Sequence, residues 1–108
     1  MKIRRKLCVF NSRLRKRYRI INLDDYPETV NDSEIYVVGD LQKPQYAIFL
    51  CPCGCGQKIE LNANPESRPC WKIQWHLAGT LSFSPSINRK VGCGSHFYLK
   101  NSKVLWCH

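Results

Sequence analysis

The first nineteen residues contain no Asp or Glu, and the whole chain of 108 residues has only eight acids against 17 Lys and Arg, for a formal net charge of +9. The imbalance is local. Residues 1–19 hold nine of the bases, while residues 20–108 hold eight charges of each sign, so a neutral body carries one basic arm. Long apolar runs are missing as well: no stretch approaches the roughly 20 residues of a membrane span, which excludes a transmembrane helix. The opening MKIRRKLCVFNSRLRKR also lacks the apolar core of a signal peptide. A reducing cytoplasm with no membrane partner is the expected setting. Aromatics are scarce in the arm, with only Phe10 and Tyr18, so base stacking has little support there. A nucleic acid bound by the arm would be held through phosphate contacts. The other uses of such a segment are docking on an acidic protein or forming a charged edge strand kept soluble by its lysines and arginines.

At this length the chain is a single domain, just large enough to bury a core and with little stability to spare. It divides into the arm or edge strand of residues 1–19 and one β-rich body of residues 20–108. What the body has in quantity is cysteine, with six of the seven cysteines beyond residue 50. Cys51-Pro52-Cys53-Gly54-Cys55-Gly56 answers across about forty residues to Gly92-Cys93-Gly94-Ser95-His96. Thiols at alternate positions of an extended strand stand roughly 6.5 to 7 Å apart. Two thiolates on one tetrahedral zinc sit roughly 3.8 Å apart. The segment must therefore turn sharply, and Gly54 and Gly56 permit the positive φ that such a turn needs. The cysteine count is odd, and cysteines one residue apart make strained disulfide partners. The pattern reads as a metal cage of Cys51, Cys53, Cys55 and Cys93 rather than a disulfide ladder, with structural Zn2+ contributing to the folding free energy. Cys70 has no neighbouring ligand and stays outside. His96 and Cys107 are rivals for the fourth ligand position. Three thiolates and one imidazole can also hold a [2Fe-2S] cluster, whose brown colour separates it from silent zinc.

The periodicities predict a mostly β domain built of hairpins, with little helix. Ile3, Leu7 and Val9 share one period-2 face and suggest an outer strand over residues 3–10, with Cys8 a small buried hydrophobe. Leu14 to Ile21 fits a helical face and a strand face equally. After an acidic, turn-rich stretch, Glu34 to Gly39 is a β-branched strand. Tyr46 to Leu50 delivers the chain into the cysteine turn, and Gln57 to Leu61 returns as its partner. Trp71 to His76 turns at Ala78-Gly79-Thr80 into Leu81 to Phe83, with the tryptophans expected in the core. Phe97 to Leu99 and Val104 to Trp106 flank the tight turn Lys100-Asn101-Ser102-Lys103. That register sets His96 across from Cys107. His76 and His108 have no motif around them and are expected on the surface or in a hairpin.

Taken together, CPCGCG at 51–56, SPSI at 84–87, GCGSHFYL at 92–99 and the closing VLW resemble the small Cys/His-rich bacterial family found beside ubiquitin-like conjugation operons. The likeness spans about residues 34–106 and leaves the basic arm outside. It implies a cytoplasmic, zinc-stabilised domain working with a ubiquitin-like protein and its activating and conjugating enzymes, as a peptidase that processes or releases that protein. Carried over residue by residue, the family's thiols fall on Cys51, Cys53, Cys55 and Cys93, its PSI serine on Ser86 and its Ser-His pair on Ser95 and His96. Two departures stand out. Phe49 occupies a position where members often carry histidine, and Asn88-Arg89-Lys90 stands where they often have Gly-Asn-Trp.

An all-thiolate site leaves zinc no open position, which suits structure rather than activation of water. His96 is then free to accept the proton of a serine hydroxyl, with Ser86 as nucleophile and backbone amides around Gly92 and Gly94 as oxyanion donors. No acid that would orient His96 is obvious in the nearby sequence. The opposing reading makes His96 the fourth ligand and leaves Ser86 and Ser95 to close turns or hydrogen-bond thiolate sulfur. Three functions follow: a zinc-stabilised serine peptidase, a non-catalytic zinc adaptor in the same pathway, or a nucleic-acid binder acting through the arm.

Overall fold

The computed structural model describes the backbone of residues 8–9 and the whole of residues 17–90 and 92–107. Among the described residues there is no helix. The strands are β1 (Cys8–Val9), β2 (Arg19–Leu23), β3 (Glu34–Asp40), β4 (Lys43–Leu50), β5 (Lys58–Asn62), β6 (Lys72–Trp75), β7 (Leu81–Ser84), β8 (Ile87–Asn88), β9 (His96–Lys100) and β10 (Lys103–Cys107). One sheet has the order β1-β10-β9-β8 and another β2-β3-β4-β5, while β6 and β7 form a separate hairpin.

Alternation along each strand explains how these pieces meet. Ile35 and Val37 of β3, Ala47 and Phe49 of β4, and Ile59 and Leu61 of β5 turn one face of their sheet inward. Leu81 and Phe83 of β7, Ile87 of β8, Phe97 and Leu99 of β9, and Val104 of β10 meet them in one core. Phe49 lies at its centre, fully buried, with ring centroids 5.5 Å from Tyr18, 6.0 Å from Phe83 and 6.4 Å from Phe97. Each such aromatic contributes about 1.5–3 kcal/mol through burial. Residue 49 thus places an apolar aromatic where the two sheets join. Strand β3 is buried on both faces. Its second face, with Tyr36 and Val38, packs with Ile48 under Ile21, Leu23 and Val30.

The described part of the ambiguous segment, from residue 17 on, resolves as strand from Arg19. Ile20 leans on the main core while Ile21 and Leu23 join the outer cluster. Both sides are therefore covered only if β2 runs extended beside β3, with which it pairs in parallel from Arg19↔Glu34 to Leu23↔Val38. Tyr18 is buried just before it, and its hydroxyl donates to the Leu50 carbonyl at 2.8 Å. Of the outer strand expected over residues 3–10, the described part is Cys8–Val9, paired with Cys107 and Trp106 of β10. The remainder of that strand, the arm up to residue 16, Leu14 and His108 lie outside the described residues.

The cysteine turn is the tip of the β4–β5 hairpin, which pairs from Leu50↔Lys58 to Tyr46↔Asn62. The Cys51 amide donates to the Gln57 carbonyl at 2.8 Å and closes it, with Gly54 and Gly56 at φ of 89° and 79°. The β9–β10 hairpin keeps the expected register, from Lys100↔Lys103 to Phe97↔Trp106, around two residues of positive φ, Asn101 and Ser102. One expectation fails. Trp71 packs against the core, but Trp75 is 36% exposed. Trp71 and Ile73 lean on the core, whereas Trp75, at the turn end of β6 beside the fully exposed Leu77, stays outside it although its partner Leu81 on β7 is fully buried.

Candidate active site

The turn after β4 and the loop before β9 bring four sulfurs together. The Sγ atoms of Cys51, Cys53, Cys55 and Cys93 all lie within 4.8 Å of one another. Cys51 Sγ is 3.4 Å from that of Cys53 and 3.6 Å from that of Cys93. These spacings bracket the roughly 3.8 Å that a tetrahedral tetrathiolate ion requires. All four are free thiols, so the donor set fits a metal ion. Ser95, itself buried, places its Oγ 3.2 Å from Cys93 Sγ and 3.6 Å from Cys51 Sγ. Hydrogen bonds from its hydroxyl and backbone pull the Cys93 thiol down to about 6. Burial pushes the Cys51 thiol up to about 12. A buried neutral thiol beside a stabilised thiolate is an arrangement that a bound cation would complete by displacing the remaining proton.

Cys107 is disulfide-bonded and faces Cys8 across the β1–β10 pair, which removes it from the candidate ligands. Cys70 is half-buried, with its sulfur 3.9 Å from the Trp71 carbonyl and outside the cluster.

The other candidate residues meet a few residues away. Strand β8 pairs antiparallel with β9, Ile87↔Phe97 and Asn88↔His96. Opposed residues share a face, so continuing this register places Ser86 level with Tyr98 and diagonal to His96. The inward residues Ile87, Phe97 and Leu99 are buried, which leaves Ser86 and His96 on the outward side. Ser86 Oγ and His96 Nε2 are 2.9 Å apart. The two clusters share one short loop, in which Cys93 joins the sulfurs and His96, three residues later, meets Ser86. The Arg89 amide donates to the Ser95 carbonyl at 2.7 Å and closes that loop. Gly92 sits at φ of 93°, a left-handed conformation that L side chains rarely adopt.

A family model described as bacterial ubiquitination-like system serine protease (BubE) matches residues 22–107. The chain belongs to the BubE family. No curated protein and no solved structure matches it. The BubE match begins after the basic arm and covers both the sulfur cluster and the Ser86–His96 pair. Among the described residues no helix is long and apolar enough to cross a membrane.

Two features of this BubE chain were not legible in its sequence. The Trp71 indole N–H donates to the Ser86 carbonyl at 3.3 Å, holding the serine's backbone from the residue just before β6, fifteen positions earlier. A second histidine–serine contact also exists, between His76 Nε2 and Ser82 Oγ at 2.8 Å. Ser82 Oγ accepts the Asn101 amide at 3.0 Å and so ties β7 to the β9–β10 turn, a structural use of that hydroxyl. Two clefts meet at Lys72 and Ser84, two residues before Ser86, and one of them takes in Tyr98, two residues after His96. One, of about 680 Å³, is walled by Trp71 and Ile73. The other, of about 630 Å³, is walled by His76, Ser82, Tyr98 and Lys100.

Proposed function

We propose that this chain is a serine peptidase, stabilised by structural zinc, that processes or releases a ubiquitin-like protein in a bacterial conjugation pathway. The observation that carries the reading is the 2.9 Å contact between Ser86 Oγ and His96 Nε2 beside a cluster of four sulfurs that needs no further ligand. Zinc held by Cys51, Cys53, Cys55 and Cys93 would be coordinatively closed, so its contribution is to fix the two loops.

Acyl transfer then falls to the side chains outside the cage. With the imidazole proton on Nδ1, Nε2 of His96 accepts the Ser86 proton as Oγ attacks the scissile carbonyl carbon. The new Oγ–C bond forms while the carbonyl π pair moves to oxygen. Collapse of that oxyanion expels the amine, which takes the proton from Nε2 and leaves an acyl ester on Ser86. Water attacks the ester by the same route in reverse, returning the proton to Oγ. Backbone amides of the Gly92–Gly94 turn are the donors assigned to the oxyanion. Trp71 acts as a positioning residue through the Ser86 carbonyl.

The test is to incubate the protein with a ubiquitin-like precursor extended at its C-terminus, and with a conjugate, reading products by mass. Cleavage at one bond, together with covalent labelling of Ser86 by a fluorophosphonate, supports the reading. Labelling unchanged in Ser86→Ala would refute it.

A further inference from the structure

Beyond the Ser86–His96 pair, the same outward face continues as two columns of side chains. His96, Tyr98 and Lys100 alternate along β9 with the buried Phe97 and Leu99. Ser82 and Ser84 alternate along β7 with the buried Leu81 and Phe83, and the chain then runs directly to Ser86. The cleft of about 630 Å³ lies along these columns, completed by Lys72 and Gln74 of the edge strand β6 and by His76 just after it. Its lining carries Lys72, Lys100 and His76 and no acid. Lys100 Nζ is 5.4 Å from the centroid of the Tyr98 ring, which folds the ammonium back along β9 toward His96.

We propose that this cleft is a substrate subsite that takes an acidic side chain of the protein substrate, three to four residues from the scissile bond. The proposal rests on the peptidase reading for the place of the bond. Residues four apart on a strand are separated by roughly 13 Å, and an extended substrate rises about 3.3 Å per residue, so a peptide lying along β9 from His96 reaches the lysines after about four residues. The recess of Lys100 over Tyr98 shortens that reach toward three. Opposite charge across the contact selects an acidic segment and rejects a basic one. Both lysines are exposed, so each ion pair contributes little and the preference is set by the two together with His76.

The experiment uses the full-length protein and short peptides spanning the cleaved bond, with Glu or Gln placed at successive positions on either side. The expected result is a preference of about tenfold in kcat/KM for Glu over Gln at the third or fourth position on one side, weakening as salt is raised. The double variant Lys72→Glu/Lys100→Glu should lose that preference and favour a Lys peptide over the Glu peptide instead. Equal cleavage of Glu and Gln peptides at every position would overturn the proposal, as would a double variant equally impaired on both. Binding to Ser86→Ala, followed by fluorescence anisotropy, separates the subsite from the chemistry. Salt-sensitive binding of the Glu peptide that vanishes with the two charge reversals, in a protein that cleaves nothing, would sustain the subsite and sink the peptidase. Cleavage without any Glu preference would do the reverse. An oligonucleotide that displaces the Glu peptide at lower concentration than free Glu peptide does would also overturn the assignment to a protein carboxylate.

Discussion

Replacing His96 with alanine distinguishes a general base from a metal ligand by the kind of damage it causes. In the structure the imidazole nitrogen Nε2 lies 2.9 Å from Ser86 Oγ, and His96 is half-buried on the outward face of β9. Loss of a neutral hydrogen bond of this kind costs about 0.5–1.5 kcal/mol. For a domain near this size that lowers Tm by roughly 4–8 °C per kcal/mol. Cleavage should fall much further, by about 10²–10⁴-fold, since proton transfer in the transition state is lost. Ser86→Ala should show the same small shift in Tm and a loss of cleavage at least as large. Cys93→Ala provides the contrasting pattern, because it opens the sulfur cluster that closes the loop. With net stabilities of about 5–15 kcal/mol, losing even part of a zinc site's binding free energy unfolds the domain. The assays are mass-resolved cleavage of a ubiquitin-like precursor, zinc stoichiometry and thermal melting on all three variants. If His96→Ala loses zinc and melts like Cys93→Ala while Ser86→Ala still cleaves, the imidazole is a ligand. The non-catalytic adaptor then replaces the peptidase.

Metal analysis should find about one zinc per chain, and chelation should unfold or aggregate the protein; a chelated protein that keeps its cooperative melt refutes a structural ion. Phe49→Ala removes the ring around which Tyr18, Phe83 and Phe97 pack, and should cost about 3–5 kcal/mol, seen as a Tm lowered by on the order of 20 °C. Hydrogen bonds from Arg19, Asn31 and Tyr36 hold the Glu34 carboxyl down to about 2. Because this folded value is depressed, its stabilisation is complete above the ordinary carboxylate range and is lost as pH falls toward about 2. Glu34→Gln should therefore flatten the acid limb of a Tm–pH curve while lowering Tm at neutral pH, and an unchanged limb would contradict this assignment. Replacing the seven Lys and Arg of residues 1–16 with glutamine should abolish any nucleic-acid binding, itself steeply salt-dependent, and leave peptide cleavage intact; binding that survives moves the contact to the body.

The sequence by itself determined the local structure and the chemistry on offer. Period-2 alternation specified a β domain and located the β4–β5 and β9–β10 hairpins, because strand faces and turn residues are written in adjacent positions. Thiols too close to pair with one another, separated by Pro52 and Gly54, announced a turn whose sulfurs converge. The motif set also identified the family. Folding decided what depends on residues brought together from a distance. Only the register of β8 against β9 sets Ser86 diagonal to His96, and β8 is two residues long, too short to leave a periodic signal. Only the packing of β2 along β3 chose strand over helix for a segment whose apolar spacing suited both. The hydrogen bond from Trp71 to Ser86, the disulfide at Cys107 and the exposure of Trp75 opposite the buried Leu81 follow from which strand of a hairpin meets the core, and which strand edge meets another. Such pairings are settled by the free energy of the whole assembly and are not encoded in the neighbours of any one residue.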